Sequence, residues 1–396
     1  MIEGEIMKKK ILFVNDEMAM GGVARILIGL LSKIDLNKYD VDVLILHPQG
    51  ELMNEFPSGI KIIKSHPFFS IVDMSFSELL RTRSVGKIIH KLILVLLMKT
   101  SLIVPIIKLI RKKLIKRNYD VEFSAKEGFC TIFVSCGNSE KKINWVQVDY
   151  GVQNYSKNHM GLMKRALQKI DLNIASSEKV AESYKVLFNV ERIQVIHNFI
   201  DVDAVYDKLN HEIDLKSDDG VFTFITVARF HPQKAVDRLI RGFAHVHQNN
   251  VNTKLIIIGD GEQRSLIIDL IHAYKLENCV ELLGIKQNPY PYIQLAHVFV
   301  LSSLYEGFPT IVIESLLSGT PVLATDVAGI KEQLTKEEYG WIVENSQEAL
   351  QEKMLEISWN LNLVKSYKLR LADYNYPNQR ILDDYYAIFN GINKEQ

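Results

Sequence analysis

Strand-like and helix-like stretches alternate along almost the whole chain, and this alternation constrains the fold more than any other feature. KKILFVN (9–15) is a short apolar run of strand length behind a lysine cluster. MAMGGVARILIGLLSKI then reads as a glycine turn running into a helix, and YDVDVLILHP (39–48) as a second strand. Strand, crossover helix, strand is the unit of a doubly wound parallel sheet. VEFSAKEGFCTIFVSC, KINWVQVDYG (142–151) and KIDLNIASSEKVAESYKVLF continue the series, and ERIQVIHNFID (191–201) closes it.

A second series follows. Residues 208–220, KLNHEIDLKSDDG, are polar and aperiodic and read as a linker. VFTFITVARF, TKLIIIGDGEQ, CVELLG, AHVFVLSS and TPVLATD then alternate with helical stretches such as AVDRLIRGFAHVHQ and SLIIDLIHAYKL. At 396 residues the chain exceeds what one core organises. The expected architecture is α/β, with two Rossmann-like domains, 1–205 and 218–377, whose strand ends face a cleft where small molecules bind.

Charge narrows the function classes. Forty-seven basic residues balance 47 acidic ones, so no global field points to nucleic acid. Cys130, Cys136 and Cys279 show neither disulfide nor metal spacing and read as reduced thiols of a cytoplasmic protein. MIEGEIMKKKILFVND is too short in its apolar part for a signal peptide. In 88–117, Lys91, Lys99 and Lys108 interrupt every apolar window before it reaches the ~18 residues a spanning helix needs. Leu, Ile and Val beside so many basic residues suit an anionic membrane surface. The expected location is therefore the inner face of the cell membrane, peripherally bound.

The chemistry concentrates in two stretches of the second half. In SSLYEGFPTIVIES (302–315), Glu306 and Glu314 flank an apolar segment. Pro309 suits a helix start and Gly319 a helix stop, which leaves Glu306 in the preceding loop and Glu314 in the second turn. The amides of Gly307, Phe308, Thr310 and Ile311, with the positive end of the helix, are suited to phosphate or sugar hydroxyls. In VARFHPQKAVDRLI (227–240), Arg229 and Lys234 follow a strand and form an anchor for a diphosphate. Gly21 and Gly22 in AMGGVAR allow close approach to a ligand but lack a dinucleotide fingerprint. IIIGDGEQ (256–263) lacks a third glycine and reads as a turn.

Arg229, Lys234, GDGE (259–262), LLG (282–284), SSLYEGFPTIVIES and GTPVLATD (319–326), in this order, resemble the donor half of retaining GT-B glycosyltransferases of family 4. The resemblance covers most of the chain and is weakest over 50–120. It implies a C-terminal helix crossing back, so that 378–396 packs on the N-terminal, acceptor-binding domain. It implies Glu314 on the ribose of a nucleotide sugar and Glu306 on the donor sugar. It places Arg229, Lys234 and the amides around Pro309 on the leaving diphosphate, Leu283 and Gly284 near the base, and Gly22 near the donor phosphate. The implied activity is metal-independent sugar transfer from a UDP-linked donor to a polysaccharide, such as capsule or exopolysaccharide, or to a lipid-linked glycan. No metal site is expected: Asp201-Val202-Asp203 has the spelling of a metal motif but closes the first half.

Three positions depart from the family pattern. Gln147 stands where the family carries a histidine near the reacting sugar, and it cannot gain a proton near neutrality. Asp149, two positions on and on the same side of a strand, is a candidate substitute acid–base or acceptor contact; His159 is a nearby candidate that reads first as a lone surface histidine. Ala235 and Ala328 replace frequent glycines. The Gln147 departure also admits a non-catalytic GT-B partner subunit, although Arg229, Lys234, Glu306 and Glu314 are all retained.

Overall fold

The structure is a computed structural model and describes all residues except 1–6, 20, 73, 75–78, 81, 153–154, 216–219, 336–337 and 392–396. It divides into two compact units, 1–199 with 379–396, and 200–378.

The first unit runs β1 (Lys9–Asn15), α1 (Gly22–Lys33), β2 (Tyr39–Ile45), β3 (Lys61–Ile63), α2 (Val85–Thr100), α3 (Ile103–Leu114) and β4 (Val121–Ser124). It continues with α4 (Phe129–Ser135), β5 (Lys141–Val146), α5 (Lys157–Leu167), β6 (Leu172–Ala175), α6 (Glu178–Phe188) and β7 (Ile193–Val195). The second unit begins with α7 (Val202–Leu209), β8 (Phe222–Val227), α8 (Val236–Asn249), β9 (Thr253–Ile258) and α9 (Arg264–Ala273). Then come β10 (Val280–Gly284), α10 (Tyr290–Leu295), β11 (Val298–Leu301), α11 (Thr310–Leu317), β12 (Val322–Thr325) and α12 (Ile330–Gln333). β13 (Gly340–Val343), α13 (Gln347–Ser358) and α14 (Leu361–Leu371) complete it, and α15 (Asn378–Phe389) returns to the first unit.

Both sheets are parallel. Their orders are β3-β2-β1-β4-β5-β6-β7 and β10-β9-β8-β11-β12-β13. In each, the chain winds outward on one side and then restarts on the other. The reversal falls between β1 and β4 in the first sheet and between β8 and β11 in the second. Such reversal points leave a crevice at the carboxyl ends of the strands, where ligands bind in this class of sheet. The strands read as continuous apolar runs because helices cover both faces; Phe224, Leu255, Ile257, Val298, Val300 and Leu323 form the second core with Phe243 and Leu239.

The boundary differs from the expected 205/218 division. Asp201 accepts from the Ala204 amide at 3.1 Å and caps α7, so the Asp-Val-Asp sequence is a helix start. α7 packs on α10 and α11 of the second unit, and the amide of Asn288 donates to Lys208 O at 2.7 Å. The linker expected over 208–220 begins only after Leu209, and its residues 216–219 lie outside the described set.

Within 88–117 the two helices meet at 114°, and among the described residues no single helix is long and apolar enough to cross a membrane. α3 docks through buried Ile103, Ile107 and Ile110. Its Arg111 pairs with buried Glu122 on β4 at 2.7 Å and lies over the Phe133 ring. Arg117 pairs with Asp40 and Asp42. α2 buries only Leu94.

Candidate functional site

In the second unit the residues singled out in sequence converge at the reversal point between β8 and β11. β8 ends at Val227, and the chain passes Arg229 to a short turn, Pro232–Lys234. β11 ends at Leu301, and Ser302, Ser303 and Glu306 follow. Lys234 Nζ lies 2.5 Å from Glu306 Oε1, which also accepts from Ser303 Oγ at 2.6 Å. Gln233 Nε2 donates to Tyr305 O at 3.0 Å and reaches Glu306 Oε2 at 3.4 Å. Ser302 Oγ donates to Lys234 O at 2.9 Å, and Leu304 N to Gln233 O at 2.8 Å. Buried Arg238 fixes the same loop from beneath. It donates to Ser302 O, to Ser303 O at 3.1 Å and to Asn345 Oδ1 at 2.8 Å. The Glu306 carboxylate is thus held by a cation and a hydroxyl. The Arg229 guanidinium is exposed and makes no ion pair among the described residues.

Pro309 is the residue just outside α11 (φ −68°, ψ 106°), so the helix starts one residue later than the sequence suggests. No side chain caps it, which leaves its first amides for another acceptor. Gln333 Nε2 donates to Pro309 O at 3.0 Å and steadies the turn. Glu314 lies in the second turn and is buried, and Phe308 is buried beside it in the loop. Gly329 (φ 80°) presses against this loop: a Cβ there would stand 2.7 Å from Gly307 O and 2.9 Å from Phe308 Cα. The glycine next to Ala328 thus supplies the left-handed position. Ala235 adopts φ 46°, ψ 45°, a left-handed conformation glycine takes without strain. Gly259 and Gly261 let their loop lie against Ala228–Phe230, and Gly259 N donates to Gly284 O at 2.9 Å. This brings the Leu283–Gly284 end of β10 beside the β8 loop.

The first unit has a parallel arrangement between β1 and β4. Lys126 forms an ion pair with Asp16. Burial works against the Lys126 ammonium, but Asp16 outweighs it and its pKa is raised. Glu127 Oε2 accepts from Gln147 N at 2.9 Å, and Gln147 Nε2 donates to Asn198 Oδ1 at 3.0 Å. Surrounding protein raises the Glu127 pKa; the amides of Gln147 and of Glu127 itself and the Lys126 charge oppose this. β5 ends at Val146, so Gln147 and Asp149 lie beyond the strand and its alternation does not align them. Asp149 is buried, and its Oδ1 accepts from Gly151 N at 2.8 Å. His159 stacks on Tyr155 (4.8 Å), which stacks on Tyr150 (4.4 Å), and burial lowers the His159 pKa. Gly22 opens α1 without a side-chain cap, and a Cβ there would meet nothing within 4 Å. Glu127 was not singled out in sequence; its signal is a carboxylate three residues beyond a short buried strand.

Residues 207–368 match the family described as Glycosyl transferases group 1. An uncharacterized glycosyltransferase of Methanocaldococcus jannaschii is 34% identical over 200 residues, 48% of this chain and 49% of that protein. The Campylobacter jejuni enzyme N-acetylgalactosamine-N,N'-diacetylbacillosaminyl-diphospho-undecaprenol 4-alpha-N-acetylgalactosaminyltransferase is 31% identical over 183 residues, 46% of this chain and 48% of the enzyme. The chain spans about half the length of the curated relatives it matches. Among solved structures, TarM of S. aureus superposes with a TM-score of 0.74 at 16% identity, covering 98% of this chain and all of that one. The fold is GT-B. HepE of Anabaena, solved in complex with UDP, has the same architecture, with a TM-score of 0.69 at 14% identity over 96% of this chain and 100% of that one.

Proposed function

We propose that the protein is a retaining GT-B glycosyltransferase of family 4. It moves a sugar from a UDP-linked donor to a hydroxyl of a polysaccharide or lipid-linked glycan. The Lys234–Glu306–Ser303 cluster at the second reversal point, beside the uncapped start of α11, carries this reading. The UDP bound by HepE and the lipid-diphosphate glycan named in the Campylobacter relative support the donor and acceptor classes. Breaking the sugar–phosphate bond builds negative charge on the leaving diphosphate. Arg229, Lys234 and the α11 amides supply preorganised positive charge without a metal ion. Glu306 accepts from donor-sugar hydroxyls, Glu314 from the ribose, and Leu283–Gly284 lie by the base. The acceptor oxygen attacks the face from which the diphosphate leaves, which retains configuration. The protein works in the cytoplasm on the inner face of the membrane, through 88–117, in capsule or exopolysaccharide synthesis.

The test combines calorimetry with UDP and nucleotide release from a panel of UDP-sugars, using water and alkyl glycosides as acceptors. Wild-type protein binds UDP and releases it from at least one donor. Glu306→Ala lowers that turnover by about 10²–10³. No UDP binding at millimolar nucleotide, or an unaffected variant, refutes the reading.

A further inference from the structure

We infer that Arg238 and Asn345 form a clamp that positions Glu306 and Lys234 for sugar transfer. The inference rests on the glycosyl-transfer reading above and adds to it two residues outside its named contacts.

Arg238 lies in the first turn of α8, and Asn345 follows β13. Between them they take three successive carbonyls of the loop after β11. Arg238 Nη2 donates to Ser302 O and, at 3.1 Å, to Ser303 O. Asn345 Nδ2 donates to Leu304 O at 2.8 Å, and its Oδ1 accepts from Arg238 Nη1, also at 2.8 Å. The same three loop residues each hold the Lys234–Glu306 cluster by a second group. Ser302 Oγ donates to Lys234 O at 2.9 Å, and Leu304 N to Gln233 O at 2.8 Å. Ser303 Oγ donates to Glu306 Oε1 at 2.6 Å. Every residue from Ser302 to Leu304 is therefore tied to the clamp by its carbonyl and to the cluster by its hydroxyl or amide. A shift in the clamp is passed to both charged residues.

Packing alone does not account for Arg238. It is 8% exposed and makes no ion pair among the described residues. The neighbouring Asp237 is paired with Arg241 at 2.5 Å. Arg238 Nε finds no acceptor, and burial lowers the pKa of the guanidinium against the pull of Asp237. Burying a cation without a counter-ion is costly. A neutral group is enough to tie a loop carbonyl, since Thr325 Oγ1 donates to Ser303 O at 2.7 Å. The charge adds strength: charge-assisted hydrogen bonds are roughly twice as strong as neutral ones. It also draws on the negative ends of two peptide groups, which offsets their repulsion of the diphosphate proposed to bind beside Lys234. Reacting groups tolerate little displacement, and a misplacement of about 1 Å from a distant substitution costs about 10²-fold in rate.

Arg238→Met keeps much of the side-chain length and removes the fork and the charge. UDP release is measured from the UDP-sugar that wild type uses, in a cycle of Arg238→Met, Glu306→Gln and the double variant. Arg238→Met is expected to lower kcat about 10²-fold in the wild-type background. With Glu306→Gln already present, it is expected to cost less than about tenfold, because a residue it acts through is altered. Asn345 is exposed, so Asn345→Ala loosens the clamp without entering the core and decides the matter where Arg238→Met does not fold. Its kcat is expected to fall about tenfold at an unchanged melting temperature. A kcat within threefold of wild type for either folded variant overturns the proposal. So does an equal fall from Arg238→Met in both backgrounds, which is what separate structural damage gives. Failure of the underlying reading is distinct: wild type itself then binds no UDP, or releases none from any donor, and the clamp falls with it.

Discussion

Lys234 and Glu306 lie 2.5 Å apart, and this decides which substitutions report on chemistry. Lys234→Met removes the diphosphate contact proposed above and leaves Glu306 with Ser303 and Gln233 as partners. An uncompensated buried charge is costly, so this variant loses stability together with activity. Glu306→Gln keeps an acceptor for Ser303 and is the cleaner probe of the donor-sugar contact. Gly329 gives an independent handle on the same loop. A side chain at φ 80° costs roughly 1–2 kcal/mol, and its Cβ would also collide with Gly307 O and Phe308 Cα. Gly329→Ala is expected to lower stability by about 2–4 kcal/mol and to weaken UDP binding by displacing the 307–311 turn. A melting temperature and a UDP affinity equal to wild type would show that this contact does not shape the loop.

At the scale of elements, α2 stands apart because so little of it is buried. Val85, Ile89, Leu92, Ile93 and Leu96 recur at helical spacing on one face and are 48–69% exposed, while Leu94 alone faces the core. Between residues 79 and 119 the sequence has eleven Lys and Arg and no Asp or Glu. Arg111 and Arg117 are engaged in ion pairs within the fold, which leaves Lys87 and Lys99 exposed on α2 and Lys108, Lys112, Lys113 and Lys116 exposed on and just after α3. An exposed apolar face in so basic a segment fits the anionic bilayer surface proposed above, where each lysine near the surface contributes about 1 kcal/mol. Flotation with phosphatidylglycerol vesicles should carry the wild-type chain, weaken with salt, and fail for Leu92→Glu with Leu96→Glu. Equal flotation of that variant, or none of the wild type, counts against the surface. The basic character of this segment was legible in sequence, but its division into structural and exposed cations was not, because that depends on partners 11 to 77 residues away. The two sheets and the Lys234–Glu306 site were legible because parallel strands are apolar runs and glycine or proline marks their loops. Helix α7 escaped because the first half reads as closing at Asp201 and the polar residues from 208 as a linker, which leaves too short a stretch between them to read as a helix. Glu127 escaped because a short strand followed by Lys-Glu-Gly looks like a solvated turn.

For the molecule as a whole, the decisive feature is that the first unit's core is completed by the end of the chain. α15 inserts Tyr385, Ile388 and Phe389, each at most 1% exposed, and the rings of Tyr385 and Phe389 meet those of Phe13, Phe123 and Trp145. Tyr386 stacks on Tyr39 at 5.4 Å, and its hydroxyl donates to Lys33 O and accepts from Asp35 N, both at 3.0 Å. Deleting one buried aromatic side chain costs about 3–5 kcal/mol. Removing three large side chains together exceeds much of the roughly 5–15 kcal/mol that holds a domain folded. The second unit keeps its own apolar core, which among the described residues includes none from this helix. A chain ending at residue 378 is therefore expected to lose the first unit selectively. Limited proteolysis should degrade 1–199 while leaving a resistant fragment near 200–378, and UDP affinity should survive in that fragment more than transfer activity does. A truncated chain that melts in one transition at the wild-type temperature would mean that the first sheet is stable without α15, and that the aromatic cluster contributes far less than its burial implies.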